Sequence, residues 1–136
     1  MVSEELYQLR RRVMNHLYRA RELSGECMPW VRVRIVPLGK NVLGQTQIGI
    51  TRNNEMKISE DMKTWDDLRL KEVVFHELGH KYLGARHSKD KTNLMAPVIA
   101  QNISSEKIEC DFINLAKKNK KCVVDKDMLN CRRAYG

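Results

Sequence analysis

The sequence predicts an α+β fold in which three helices flank a small mixed sheet, and two patterns predict it. Apolar residues recur at helical spacing in three segments, one towards each end of the chain and one in the middle. Between the first two segments, apolar and polar residues alternate as they do in strands that bury one face. The length of 136 residues is that of one domain and suffices for a hydrophobic core.

The predicted elements cover the chain without an internal repeat or a low-complexity linker, so we expect a single domain over residues 1–136. In order, they are an N-terminal helix within 1–25, a sheet within 28–60, a central helix over 65–84, a loop over 85–103, a C-terminal helix over 104–118 and a basic tail over 119–136.

The first helix is predicted over residues 3–23, because Ser3 can cap its start and Gly25 follows its end. Its apolar residues recur every three or four positions, and we expect this stripe to be buried: Leu6, Leu9, Val13, Leu17 and Ala20. Five arginines surround the stripe: Arg10, Arg11, Arg12, Arg19 and Arg21. We interpret them as a solvated helix face, with a nucleic-acid surface as the alternative.

The first strand is predicted over residues 30–37, where the sequence alternates in period two. Its inward positions are expected to be Val31, Val33 and Ile35, and its outward positions Arg32 and Arg34. This alternation is typical of a strand that buries one face and exposes the other.

Two further strands are predicted around a turn at Asn53 and Asn54. The second strand spans residues 45–52 and contains Gly49, which weakens packing and therefore favours an edge position. The third strand carries Met56 and Ile58.

The central helix is predicted to open at a capping box formed by Thr64 and Asp67. We expect one of its faces to pack in the core through Phe75, Leu78 and Tyr82. The corresponding apolar face of the C-terminal helix consists of Ile108, Phe112 and Leu115.

The chain is basic, with 25 lysines and arginines against 17 acidic residues and a formal net charge of +8. Such a balance favours acidic partners, but it also occurs in proteins whose charge only keeps them dispersed. No apolar run reaches the roughly 18 residues of a membrane-spanning helix. We therefore expect no membrane association, and nucleic acid is a partner that the charge permits without favouring it.

The sequence contains four cysteines: Cys27, Cys110, Cys122 and Cys131. Two disulfides could form, and the absence of a CxxC pair argues against a zinc ribbon. The first residues, MVSEELYQLRRR, are too charged for a signal peptide. We therefore expect an intracellular protein with reduced thiols, unless the chain is the processed form of a secreted one.

The most informative stretch is the HExxH sequence of His76, Glu77 and His80. Residues four apart lie side by side on a helix, so the two imidazoles could hold one Zn²⁺ at about 2.0–2.1 Å. A pair of exposed or core-capping histidines is the alternative interpretation. Three of the four histidines fall within twelve residues, and Gly84 lies where the chain would turn to bring back His87. This clustering favours a metal site.

The segment HELGHKYLGARHSKDKTNLMAP resembles the zinc motif and Met-turn of the metzincin metallopeptidases, especially the matrixin-like members. The resemblance covers roughly residues 28–118. It implies a compact zincin-like domain that holds Zn²⁺ through His76, His80 and His87, with Glu77 as the catalytic general base. It also implies that Met95, within a turn over 93–97, is an apolar floor beneath the metal. A core-filling role is the alternative for Met95.

One feature departs from the family pattern. Six residues separate His80 from His87, whereas the family has five, and the shorter spacing would place Arg86 at the ligand position. A guanidinium cannot bind zinc, so we expect a helix one residue longer with Gly84 in a left-handed conformation at its exit. Asp90 is an alternative third ligand, and a downstream acid, Glu106 or Glu109, is another.

The resemblance implies a monomeric zinc-dependent endopeptidase that hydrolyses a peptide or protein substrate by a zinc-activated water and Glu77. The substrate would lie along the second strand, at Gln47, Ile48, Gly49 and Ile50. Two alternatives remain open: an intracellular zinc protease acting on DNA-bound proteins, and a non-catalytic binding module stabilised by zinc.

Overall fold

The computed structural model describes residues 3–25, 27–37, 48–97, 103–119, 122 and 131. Its elements in chain order are helix α1 (Glu4–Leu23), strands β1 (Arg32–Val36), β2 (Ile48–Ile50) and β3 (Glu55–Ser59), a 3-10 helix (Glu60–Thr64), helix α2 (Asp67–Tyr82) and helix α3 (Ser105–Lys118). Helices and strands follow the predicted order, so the α+β fold class is confirmed.

The three strands form a mixed sheet in the order β1-β3-β2. Strand β1 runs parallel to β3, with Val33 beside Met56, and β2 runs antiparallel to β3, with Ile50 beside Met56. The edge position predicted for the second strand is confirmed, because β2 pairs with β3 alone within the described part of the chain. Residues 45–47, which include Gln47, lie outside the described residues.

Helix α1 begins and ends as predicted. The Ser3 hydroxyl accepts a hydrogen bond from the Leu6 backbone N–H at 3.2 Å, and Gly25 has φ 69° beyond the last turn. The apolar stripe is buried except for Leu6, which is half-buried, and it extends to two further residues, His16 and Leu23.

The interpretation of the α1 arginines as a solvated face is wrong for Arg12 and Arg19, which are half-buried against neighbouring elements. Arg10 is exposed, as the interpretation expects, although it donates to the carbonyl oxygen of Val33 in β1. Arg12 donates to the carbonyl oxygen of Trp65 at 2.6 Å, and Arg19 pairs with Glu109 of α3 at 2.7 Å. These arginines join α1 to the sheet and to the segments around both other helices.

The predicted capping box at the start of α2 is wrong. The capping residue is Asp66, whose carboxylate accepts from the Arg69 backbone N–H at 2.8 Å. Thr64 ends the preceding 3-10 helix, and its hydroxyl donates to the Asp61 carbonyl oxygen. The Asp67 carboxylate contacts Nε2 of the buried His16 at 3.1 Å.

The core lies between the helices and one face of the sheet. Met56 and Ile58 of β3 are fully buried there, and the rings of Phe75 in α2 and Phe112 in α3 pack with centroids 4.9 Å apart. The core face predicted for α2 is buried at Phe75 and Leu78 and half-buried at Tyr82.

Two disulfides crosslink the fold, so the prediction of reduced thiols is wrong. Cys27 after α1 bonds to Cys122 after α3, and Cys110 within α3 bonds to Cys131. The intracellular location inferred together with reduced thiols thereby loses support. Across the described ranges, no helix is both long and apolar enough to cross a membrane.

Candidate metal centre

Three histidines converge at the C-terminal half of α2. His76 and His80 project from successive turns of the helix, and His87 approaches from the loop that follows. One ring nitrogen from each lies within 4.8 Å of the others. The ring of His87 is 4.7 Å from that of His80 and 5.5 Å from that of His76, measured between centroids. This arrangement could hold one metal ion.

Backbone carbonyls orient the two helical imidazoles. Nδ1 of His76 lies 2.8 Å from the Leu94 oxygen, and Nδ1 of His80 lies 2.8 Å from the Ala85 oxygen. A carbonyl oxygen can only accept, so each Nδ1 carries a proton, and in a neutral ring Nε2 then presents a lone pair. Hydrogen bonds of this kind fix the ring orientation of metal-binding histidines.

The donor set fits zinc. The two Nε2 atoms of His76 and His80 are 3.0 Å apart, so in the neutral rings their lone pairs face each other and a cation between them is stabilised by both. Two tetrahedral ligands at zinc distances of about 2.0–2.1 Å would be about 3.3 Å apart. Burial lowers the pKa of His76, as do the other two histidines to a smaller extent, which favours the neutral form that binds metal.

The exit of α2 brings His87 back to the helix. Tyr82 is the last helical residue, and Gly84 adopts φ 64°, the left-handed conformation that the sequence predicts. The Ala85 N–H then donates to the Gly79 carbonyl oxygen at 3.0 Å. Ala85 therefore closes the turn with its N–H and orients His80 with its carbonyl. The six-residue interval is accommodated by this exit.

A tight turn beneath α2 carries Met95. The Asn93 side chain accepts from the Met95 N–H at 2.9 Å, and the Asn93 carbonyl oxygen accepts from the Ala96 N–H at 3.0 Å. Met95 is buried, and a Cβ added at Gly79 would lie 2.9 Å from its sulfur. Glycine in the middle of HELGH thus permits close packing of this turn against the metal-site helix.

Helix α3 holds the same turn from the other side. The buried Asp111 carboxylate accepts from the Leu94 N–H at 2.9 Å and pairs with Lys107 at 2.8 Å. The carbonyl oxygen of Leu94 is the one that His76 contacts. The Leu94 residue therefore links α3 to an imidazole of the candidate site.

Glu77 is half-buried on α2 beside His76. Burial raises the pKa of its carboxyl group, although nearby His80 acts in the opposite direction.

The alternative third ligands have other partners. The Asp90 carboxylate accepts from the backbone and hydroxyl of Thr92 at 2.9 and 2.7 Å. Glu109 is buried between Arg19 and Lys71, and Glu106 is exposed in the first turn of α3. Within the described ranges, the group of potential metal ligands consists of the three histidines.

A family model described as matrixin, of the M10 peptidases, matches residues 35–118. This match spans more than half of the chain. The chain belongs to the matrixin family. Searches against curated proteins and against solved structures gave no match.

Membership of this family makes the protein a metallopeptidase in general terms and implies zinc as its metal and peptides or proteins as its substrates. The match includes the whole histidine cluster and the turn that carries Met95. The matrixin resemblance inferred from the sequence motifs is therefore confirmed.

Sequence reasoning missed the groups that orient the ligands of this matrixin. The carbonyls of Ala85 and Leu94 carry no sequence signal, since every residue has one. The contact of Asp111 with the Leu94 N–H bridges 17 positions and depends on how α3 packs. The aspartate stands among other acidic residues of α3, and no local pattern distinguishes it.

Proposed function

We propose that this matrixin is a zinc-dependent endopeptidase in which His76, His80 and His87 hold the metal. The observation that carries the proposal is the convergence of three histidine nitrogens, two of them with their lone pairs directed at each other by backbone hydrogen bonds. Zinc in such a site supplies a water of lowered pKa and polarises the scissile carbonyl.

Glu77 acts as the general base of the proposed reaction. It projects from α2 about 100° further round the axis than His76, which directs its carboxylate beside the metal position. Glu77 takes a proton from the attacking water and delivers it to the leaving amine. The half-buried position of its carboxyl group, which raises the pKa, supports this role.

The substrate is proposed to extend along β2 through backbone hydrogen bonds. Support comes from the edge position of β2 in the described sheet and from its packing against α2. Ile48, Gly49 and Ile50 form this strand, and Gln47 precedes it outside the described residues. Strand addition of this kind recognises the peptide backbone and tolerates many side chains.

The first experiment separates chemistry from metal binding. We expect Glu77→Gln to bind zinc like the wild type and to lose about 100-fold or more of its peptidase activity, since a positioned general base contributes that much. Zinc content by elemental analysis and cleavage of a broad peptide library are measured together. Glu106→Gln, an exposed acid on α3, is the matched control. Full turnover by Glu77→Gln would contradict the proposal.

A second experiment identifies the third ligand. We expect His87→Ala to weaken zinc binding by about 100-fold or more, because a tetrahedral catalytic site needs three protein ligands. Asp90→Ala serves as the control and should bind zinc like the wild type. The measurement is competition with a chromogenic chelator. Loss of zinc from the Asp90 variant, with retention in the His87 variant, would assign the ligand to Asp90 instead.

We also propose that the protein functions in an oxidising compartment. The two disulfides support this location, since such bonds form and persist outside reducing cytosol. Trapping of thiols with an alkylating reagent at the moment of cell lysis, followed by mass spectrometry, should find all four cysteines protected. Alkylated cysteines would contradict it. Within the described residues, nothing favours the DNA-associated or the non-catalytic alternative.

A further inference from the structure

A hydrogen bond joins the end of the metal-site helix to the hairpin of the edge strand. The hydroxyl of Tyr82 donates to the side-chain oxygen of Asn54 at 2.8 Å. Tyr82 is the last residue of α2 and follows His80 by two positions. Asn54 lies in the turn between β2 and β3. The bond spans 28 positions of sequence, so it is tertiary rather than local.

Asn54 is the fixed point of that turn. It adopts φ 56°, and among the residues that the structure describes no other non-glycine residue has a positive φ. Its N–H donates to the Thr51 carbonyl oxygen at 3.1 Å, and its own carbonyl oxygen accepts from the Arg32 N–H at 3.0 Å. The hydrogen bond from the Tyr82 hydroxyl holds the Asn54 side chain in addition to these two backbone bonds. Asn54 therefore ties the turn to β1 and to α2 at once.

Tyr82 is itself held in place. Its half-buried ring packs against the hydrophobic core, and its carbonyl oxygen accepts from the Asn119 side chain at 3.4 Å at the end of α3. Tyr82 also lies in the interval between His80 and His87 that exceeds the matrixin spacing by one residue. The Tyr82 hydroxyl therefore belongs to a residue whose ring and backbone are both held in place.

We propose that Tyr82 is a positioning residue that fixes the β2–β3 turn, and with it the edge strand β2, against the helix that carries the metal ligands. The inference rests on the proposed function. Strand β2 has three residues, pairs with β3 alone in the described sheet and packs against α2, and the bond from Tyr82 adds a directional contact to that packing. A substrate held by β2 pairs with the backbone of this strand, and Tyr82 keeps the strand in place to receive it.

The expected kinetic effect is on KM. The contacts between β2 and the peptide backbone exist in the bound substrate and persist in the transition state, so weakening them changes KM and leaves kcat nearly constant. Loss of one hydrogen bond predicts that Tyr82→Phe raises KM about 3- to 10-fold with kcat changed by less than about twofold. Tyr18→Phe, an exposed tyrosine on α1, is the matched control.

Variants of Asn54 test the same bond from the other side. Asn54→Asp keeps an acceptor oxygen and tolerates positive φ, so we expect the KM of the wild type. Asn54→Gly also tolerates positive φ but removes the acceptor, so it should reproduce the KM of Tyr82→Phe. Because Tyr82→Phe and Asn54→Gly remove the same hydrogen bond, the variant that carries both should have the KM of either single variant.

Amide hydrogen exchange of the metal-free chain gives a readout independent of activity. Tyr82→Phe and Asn54→Gly should accelerate exchange at the backbone amides of positions 51 and 54, whereas Asn54→Asp and Tyr18→Phe should not. Unchanged exchange in Tyr82→Phe would overturn the inference, as would accelerated exchange with unchanged KM. If the zinc-loaded wild type cleaves no peptide while the exchange pattern holds, the proposed function fails and the tie between turn and helix stands.

Discussion

Gly79 and Met95 are the residues at which α2 and the turn beneath it pack directly together. The turn supplies the Leu94 carbonyl that orients His76, and Gly79 supplies the carbonyl that receives the Ala85 N–H. Close packing at this one position therefore affects both sides of the candidate site. A methyl group here would enter space already filled by the Met95 sulfur and by Leu115, whose terminal carbon would be 3.3 Å away.

We expect Gly79→Ala to destabilise the protein by up to about 2 kcal/mol, because overpacking costs about 1–3 kcal/mol and alanine regains roughly 1 kcal/mol in a helix. The measurement is urea denaturation of the metal-free chain. Lys81→Ala, an exposed position on the same helix, is the control and should change little. A Gly79→Ala variant as stable as the wild type would show that Met95 moves aside without cost.

At the residue scale, the sequence predicted those site residues whose signal lies within one short segment of the chain. The spacing of His76, His80 and His87 indicated the metal cluster, and Gly84 indicated the left-handed exit. The hydrogen bond between Tyr82 and Asn54 could not be inferred, since it depends on where the hairpin lies relative to α2. Local chemistry identifies ligands, while tertiary packing selects the groups that orient them.

Among the elements, α1 and α3 could be placed to within a residue, because Ser3 and Ser104 are capping residues directly before apolar stripes. The predicted start of α2 differs from the observed one, because Thr64 and Asp66 are both residue types that cap helices well. The 3-10 helix uses Thr64, which leaves Asp66 to cap α2. Two adjacent caps cannot be ranked without knowing how the preceding turn folds.

A buried charge cluster joins the three helices. Glu109 of α3 pairs with Arg19 of α1 and Lys71 of α2, and Lys71 also donates to the Ser105 hydroxyl at 2.7 Å. Burial alone would raise the pKa of Glu109, but the hydrogen bonds from Arg19 and Lys71 outweigh burial and hold the pKa below its ordinary value. The carboxyl group of Glu109 is therefore ionised at neutral pH.

The stability contributed by this cluster should depend on pH. Because the pKa of Glu109 is lower in the folded chain, its contribution is present above the ordinary value of 4.5 and is lost as the pH falls through the folded value. We expect Glu109→Gln to be less stable than the wild type by about 3 kcal/mol at pH 7, since Lys71 then lacks its buried partner. The difference should shrink at pH 3.

Urea denaturation at both pH values makes the comparison, with Glu106→Gln on the exposed side of α3 as the control. The control should differ little from the wild type at either pH. A stability difference for Glu109→Gln that stays constant from pH 7 to pH 3 would show that the carboxyl group contributes by packing and not by its charge.

The net charge and the pairing of the cysteines are both properties of the whole molecule. The formal charge of +8 indicated acidic partners, yet three of the α1 arginines are engaged within the fold. The cysteine count permitted two bonds, but their pairing depends on the packing of α1 and α3, which brings Cys27 and Cys122 to a Cα separation of 5.0 Å. Composition alone shows neither which arginines are engaged within the fold nor which cysteines pair.

The two disulfides should contribute unequally to stability. Cys27 and Cys122 are 95 positions apart, and Cys110 and Cys131 are 21 apart. In the chain-entropy description, closing these loops restricts the unfolded chain by about 5 and about 3 kcal/mol, respectively. We expect replacement of the first pair by alanines to lower the free energy of unfolding more than replacement of the second, as measured by urea denaturation of the metal-free, oxidised chains. A larger loss for the second pair would show that the buried position of Cys110 in α3 outweighs loop entropy.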